Sequence, residues 1–183
     1  MDGKRSDNES PAANPWALQL TAEGDRQIVM TRAFNAPRRL VFEAFTRPEL
    51  LRKWLLGPPD WTMPICDIDL RVGGAYRYVW RHASGKEMGM GGVFREIAPP
   101  ERIVCTEAFD EPWYAGDVVN TTSFFERGGR TTMTLTINCA TPQTREAILK
   151  SGMERGAAMS YDRLAELLAS EEVSGMAEEA SRA

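Results

Sequence analysis

Along this chain the spacing of apolar positions changes character three times, and each change marks a new kind of element. Residues 27–34 read as a strand. Two short helices follow, each opened by a proline. Asn35 is a good N-cap with Pro37 in the first turn, which predicts a helix over 37–45. Thr46-x-x-Glu49 has the form of a capping box, with Pro48 in the first turn of the second helix. Leu50, Leu51 and Trp54 give that helix its apolar face, and Gly57-Pro58-Pro59 cannot continue it.

From Met63 the period becomes two. Cys66, Ile68, Leu70 and Val72 alternate with Asp67, Asp69 and Arg71; Gly73-Gly74 marks a turn; Tyr76, Tyr78 and Trp80 then alternate with Arg77, Val79 and Arg81. Ser84-Gly85-Lys86 predicts a hairpin turn, 88–97 a strand containing Gly89, Gly91 and Gly92, and Pro99-Pro100 a break before a strand over 102–109. The clearest hairpin joins 117–126 to 131–138. Met133, Leu135 and Ile137 face one way there and Thr132, Thr134 and Thr136 the other, as in an antiparallel sheet covered on one side.

The last change is back to helical spacing. Thr141-Pro142 opens a helix whose stripe is Ala147, Ile148, Met153, Ala157, Tyr161, Leu164 and Leu168. Gly152 and Gly156 interrupt it, each at a cost of ~1 kcal/mol relative to Ala, so they predict a bend or a close approach to the sheet. Ahead of all this, Trp16, Leu18 and Leu20 alternate and admit a short strand pairing with the first main one. The expected architecture is α+β: a curved antiparallel sheet of six to seven strands around a long C-terminal helix, with two short helices after the first strand and a hollow between layers. Residues 20–169 form a single domain on this reading. Residues 1–19 are a weakly ordered tail and 170–183 an acidic end that frays.

Composition narrows the function classes. A net charge of −4 and a pI near 5.2 argue against a dedicated nucleic-acid binder. Cys66, Cys105 and Cys139 are far apart with no CxxC, so neither a zinc clip nor a redox pair is indicated, and buried free thiols in a reducing cytosol are expected. With His82 as the single histidine, no His-rich metal site assembles, and no metal or cofactor is expected. The N-terminal residues have no apolar signal core, and no apolar run approaches the ~20 residues that span a bilayer. A soluble cytoplasmic protein without a membrane partner is expected.

Several motifs together carry a resemblance. They are Thr31-Arg32-Ala33-Phe34-Asn35-Ala36-Pro37, Phe42-Glu43-Ala44-Phe45-Thr46-Arg47-Pro48, and Trp54 with Gly57-Pro58. Further on come Asp69 to Tyr76 (DLRVGGAY), Gly92 to Ile97 (GVFREI) with Pro99-Pro100-Glu101-Arg102, Gly152 to Gly156 (GMERG), and Tyr161 to Leu168 (YDRLAELL). With them, the chain resembles the bacterial branch of the SRPBCC superfamily that groups with the activator of the 90-kDa heat-shock protein's ATPase. The resemblance covers about residues 20–169 and implies the helix-grip fold of START and Bet v 1-like proteins, with a cavity between sheet and C-terminal helix.

Candidate chemistry is sparse. Trp54, Trp61, Tyr76, Tyr78, Trp80, Trp113 and Phe124, with Met88, Met90, Met133 and Met153, are the candidate pocket lining; they serve equally well as plain core. They favour a small, largely apolar ligand such as a lipid, polyketide or aromatic metabolite. His82, at the end of the aromatic row, is the candidate base under a second reading, a polyketide cyclase or dehydratase-like enzyme; a rim histidine is its bland alternative. Glu107, Asp110 and Glu111 read as a charged loop or as an acid–base group. Arg38, Arg39, Arg47, Arg52 and Lys53 read as a solvated face or as an anion site at the pocket mouth. A third reading is a chaperone-linked adaptor or homodimer acting through its surface.

Overall fold

The computed structural model describes residues 14–170 and Val173. Among these, the elements run β1 (Gln19–Glu23), β2 (Gln27–Phe34), α1 (Arg38–Thr46), α2 (Pro48–Trp54), β3 (Trp61–Ile68), β4 (Ala75–His82), β5 (Glu87–Ala98), β6 (Arg102–Phe109), β7 (Val118–Arg127), β8 (Arg130–Cys139), α3 (Pro142–Lys150) and α4 (Met153–Leu168). The strands form one antiparallel sheet in the order β1-β2-β8-β7-β6-β5-β4-β3. It has eight strands instead of six to seven because residues 19–23 pair with β2, Gln19 opposite Thr31.

Alternation along each strand sends one row inward. Ile28, Met30, Arg32 and Phe34 of β2, Tyr76, Tyr78 and Trp80 of β4, and Met133 and Ile137 of β8 are all buried. Helix α4 covers this concave face with Ser160, Tyr161, Leu164 and Leu168. Leu50, Leu51 and Trp54 of α2 close one end. Val173 is buried in the same core. The remainder of the predicted 170–183 tail beyond Ser170, and residues 1–13, lie outside the described residues.

Four local expectations are corrected. Asn35 is exposed and does not cap α1; Pro37 holds that position, and the Glu126 carboxylate of β7 accepts the Arg38 N–H at 2.9 Å. The capping box at α2 does not form. Thr46 is still in the last turn of α1, where its hydroxyl donates to the Phe42 carbonyl (2.9 Å), so it cannot also turn toward α2. Glu49 instead takes Arg47 Nε at 2.7 Å. Leu70 and Val72 are exposed in the β3–β4 loop, because β3 ends at Ile68. Finally, the long C-terminal helix begins at Met153 and not at Pro142, because the bend expected at Gly152 is sharp enough to set α3 apart from α4. Gly152 lies at φ +76°, a left-handed conformation that side-chain-bearing residues avoid, and it turns the chain between α3 and α4.

Candidate functional site

The core is unevenly filled. Below the C-terminal half of α4, Phe34, Phe42, Phe45, Trp54, Phe124 and Tyr161 form a lattice of edge-on and stacked rings, with neighbouring centroids 4.8–6.4 Å apart. Trp54 Nε1 donates to the Ala44 carbonyl at 2.9 Å, so this ring's polar edge is spent within the core. Below the N-terminal half of α4 there is instead a cleft of about 450 Å³. Its walls are Leu55–Pro58 after α2, Trp61, Trp80, Met88 and Met90 of the sheet, and Ser151, Gly152, Met153, Arg155, Gly156, Ala157 and Ser160 of the helical side.

Three hydrogen bonds hold the rim. Trp80 Nε1 donates to the Leu55 carbonyl (2.6 Å), the Gly57 N–H donates to Ser160 Oγ (2.8 Å), and Arg163 donates to the Gly57 carbonyl (2.6 Å). The loop after α2 is thereby tied to both layers, and the helical wall opposite it carries Gly152, Gly156 and Ala157, which add little volume. A methyl on Gly156 would meet Pro58 at 3.7 Å, an ordinary contact across the mouth.

Of the predicted lining, Trp61, Trp80, Met88, Met90 and Met153 line the cleft. Trp54, Phe124 and Met133 are core instead, and Tyr78 is buried beside Trp80 without lining the cleft. Tyr76 crosses its register partner Gly92 to donate to the Thr106 carbonyl (2.7 Å); a Cβ on Gly92 would collide with that carbonyl and with the Tyr76 ring. Trp113 lies in a second depression of about 490 Å³ with Arg77, Lys86, Asp110 and Glu111, which shares Trp61 and Met88 with the cleft.

His82 does not line the cleft. Its Nδ1 accepts the Ser84 N–H (3.2 Å) and meets Ser84 Oγ (2.8 Å), while its ring faces Trp61 at 5.2 Å. It clamps the β4–β5 turn. The basic residues of α1 and α2 are likewise engaged: Arg38 with Glu101, Arg39 with Glu43, Arg47 with Glu49, and Arg52 with the Met63, Pro64 and Cys66 carbonyls. No group of three or more His, Cys, Asp or Glu is placed to hold a metal among the described residues. None of their helices is long and apolar enough to cross a membrane.

The three acidic residues 107, 110 and 111 part company. Asp110 pairs with Arg77 on the outer face, which holds its carboxyl below the usual range. Glu111 is exposed. Glu107 points inward from β6, and its carboxylate accepts from Asn120 Nδ2 (2.7 Å) and the Tyr114 hydroxyl (3.0 Å). Burial pushes the Glu107 carboxyl up, against the pull of those two bonds. Burial likewise raises the thiols of Cys66 and Cys105 to about 11, so neither is a reactive thiolate. The Glu107–Asn120 pair escaped the sequence reading, although Ile103, Cys105, Glu107 and Phe109 alternate as an inward row, as do Val118, Asn120, Thr122 and Phe124.

With this geometry in view, the comparisons with known proteins decide the family. The sequence profile described as "Activator of Hsp90 ATPase homolog 1-like protein" matches residues 35–169. The chain belongs to that family. Among solved structures, a Rhodobacter sphaeroides protein matches at 28% identity and TM-score 0.79, covering 84% of this chain and 98% of its own. A Chromobacterium violaceum protein matches at 28% and 0.69 (81% and 100% covered), and one from Nitrosomonas europaea at 24% and 0.72 (82% and 99%). No curated protein matches at a significant level. The family's helix-grip fold is the one seen here, and it is compatible with binding an apolar ligand between sheet and helix.

Proposed function

We propose that this protein binds a small, largely apolar molecule in the cleft beneath the N-terminal half of α4. The observation that carries this reading is the unequal filling of one concave face. The same sheet and helix that close tightly around Trp54 and Tyr161 leave about 450 Å³ beside Trp80 and Met90. That volume falls within the range of small-molecule sites, roughly 300–1,000 Å³, and its walls are predominantly apolar as such sites are. Methionines at 88, 90 and 153 supply a lining that adapts to shape. Lipids, polyketides and aromatic metabolites have the matching chemistry. The cyclase-like reading has no comparable support, since His82 is spent on its own turn.

Thermal-shift screening against such compounds tests the reading, paired with Gly156→Leu. The helical backbone at 156 accepts leucine, and the side chain fills the mouth opposite Pro58. The expected outcome is stabilisation of the wild-type protein by at least one compound class and its loss in Gly156→Leu, with the unliganded melting temperature unchanged or raised. Equal responses from both proteins would place binding elsewhere and defeat the proposal.

A further inference from the structure

Beyond Met90 and Met153 the floor of the concave face turns polar. Met90 stands opposite Phe109 in the β5–β6 ladder, and Glu107 is the next inward residue along β6. Met153 packs against the cluster containing Val118, which is the register partner of Glu107, and Tyr114 packs there too. Asn120 is 9% exposed, and its Oδ1 is buried with no hydrogen-bond partner among the described residues. A buried amide oxygen left unpaired costs free energy, so it marks a place where a partner belongs.

We propose that Glu107, Asn120 and Tyr114 form the polar end of the ligand site, and that they select a ligand bearing a hydrogen-bond donor, an amine or a hydroxyl, on an apolar body. This rests on the cleft being the ligand site and names the chemistry it takes. Nδ2 of Asn120 and the Tyr114 hydroxyl already donate to the Glu107 carboxylate. The capacity that remains is all acceptor: Asn120 Oδ1 and the second lone pairs of the Glu107 oxygens. Turning the amide over frees Nδ2 but sets Oδ1 against the carboxylate, so the orientation seen is the one an ionised Glu107 supports, the state that a bound ammonium head favours against the opposing effect of burial. An acceptor-only end pairs with a donor head and repels a carboxylate, which sets fatty-acid anions apart from amines and alcohols of the same body; the Arg155 guanidinium on the helical wall is the competing group that the naphthoate arm of the test reads. Glu107, Asn120 and Tyr114 do not themselves line the cleft; Met90 and Met153 do, and they border the polar group through the Phe109 register and the cluster of Val118 and Tyr114. The unbranched methionine side chains give way to a ligand without backbone movement.

The test is calorimetric titration with naphthylmethylamine, naphthylmethanol and naphthoate, which share one apolar body. The amine and the alcohol are expected to bind at least about tenfold tighter than naphthoate. Glu107→Gln is expected to weaken the amine about tenfold while sparing the alcohol, its folding confirmed by a cooperative melt. Naphthoate binding as tightly as the amine, in the wild-type protein alone, overturns the polar-end assignment and leaves the cleft standing. If none of the three binds and the apolar screen is also silent, the ligand site falls and this inference falls with it.

Discussion

Under the C-terminal half of α4, Tyr161 is ringed by Phe34, Phe45 and Trp54, with centroids 5.8–6.4 Å away. Under its N-terminal half, Gly156 and Ala157 face Trp80, Met88 and Met90 across open space. The sheet contributes large inward residues to both halves, so the difference originates on the helix. Tyr161, Leu164 and Leu168 fill their half; Gly152, Gly156 and Ala157 do not. In this fold a cleft is made by withholding side-chain volume from one stretch of helix, while the loop after α2 is tied down so that it cannot collapse inward.

The sharpest way to break this contrast is to remove volume from each half. Trp54→Ala opens the filled half and deletes the bond to Ala44, and is expected to cost about 3–5 kcal/mol in urea unfolding. Met88→Ala in the open half removes a side chain of a residue that is 40% exposed, and is expected to cost within about 0.5 kcal/mol. Similar losses at the two sites would show that the halves are packed alike and would remove the basis for a binding cleft.

Gly152 and Gly156 sharpen the contrast from the helix side. Both are glycines at the open end of α4, yet replacement by alanine should act with opposite signs. At Gly152 the φ of +76° is unfavourable to any Cβ, although nothing lies within 4 Å, so Gly152→Ala should destabilise by about 1–2 kcal/mol through the backbone alone. At Gly156 the backbone is helical and the added methyl makes only an ordinary contact with Pro58, so Gly156→Ala should stabilise by up to about 1 kcal/mol. Thermal melts of the two variants decide it. If both lose stability, α4 has less room at its mouth than the geometry shows.

Much of this architecture was legible in the residues themselves. Alternation in β4 and β8, the Thr141-Pro142 start of α3 and the helical stripe of α4 give the strands, the helices and their inward faces. The candidate site was half legible. Periodicity says that Trp54 and Trp80 both point inward, but not that one meets a ring lattice and the other an opening, because that depends on which helix residues stand opposite. Glu107 was hidden for a different reason. Alternation predicts the strand over 102–109, but charge groups Glu107 with Asp110 and Glu111, three and four residues on, and that grouping hides the inward row that alternation within the strand implies. The caps misled because Thr46 and Asn35 have the right chemistry for capping and the wrong backbone position.

The smallest expected effect concerns Glu107 and separates a buried carboxyl from an exposed one. Burial raises its pKa above the ordinary 4.5, so below that value the group is protonated in both folded and unfolded chains and pH has no leverage. As pH rises, the unfolded chain ionises first while the folded carboxyl resists, and stability is lost until the folded pKa is passed. Glu107→Gln carries no such liability. The melting temperature of the variant relative to wild type should therefore climb as pH is raised above 4.5, and level off only once the folded carboxyl has ionised. The neighbours do not blur this. Burial raises the Tyr76, Cys105, Tyr114 and Cys139 groups that face Glu107, so they stay neutral across the window. The outer carboxyls of Asp110 and Glu96, lowered by their arginine partners, lose stability toward acid instead and do so equally in both proteins. A difference that stays flat with pH would mean water reaches Glu107 freely in the folded state, which would turn the polar end of the cleft back into ordinary surface.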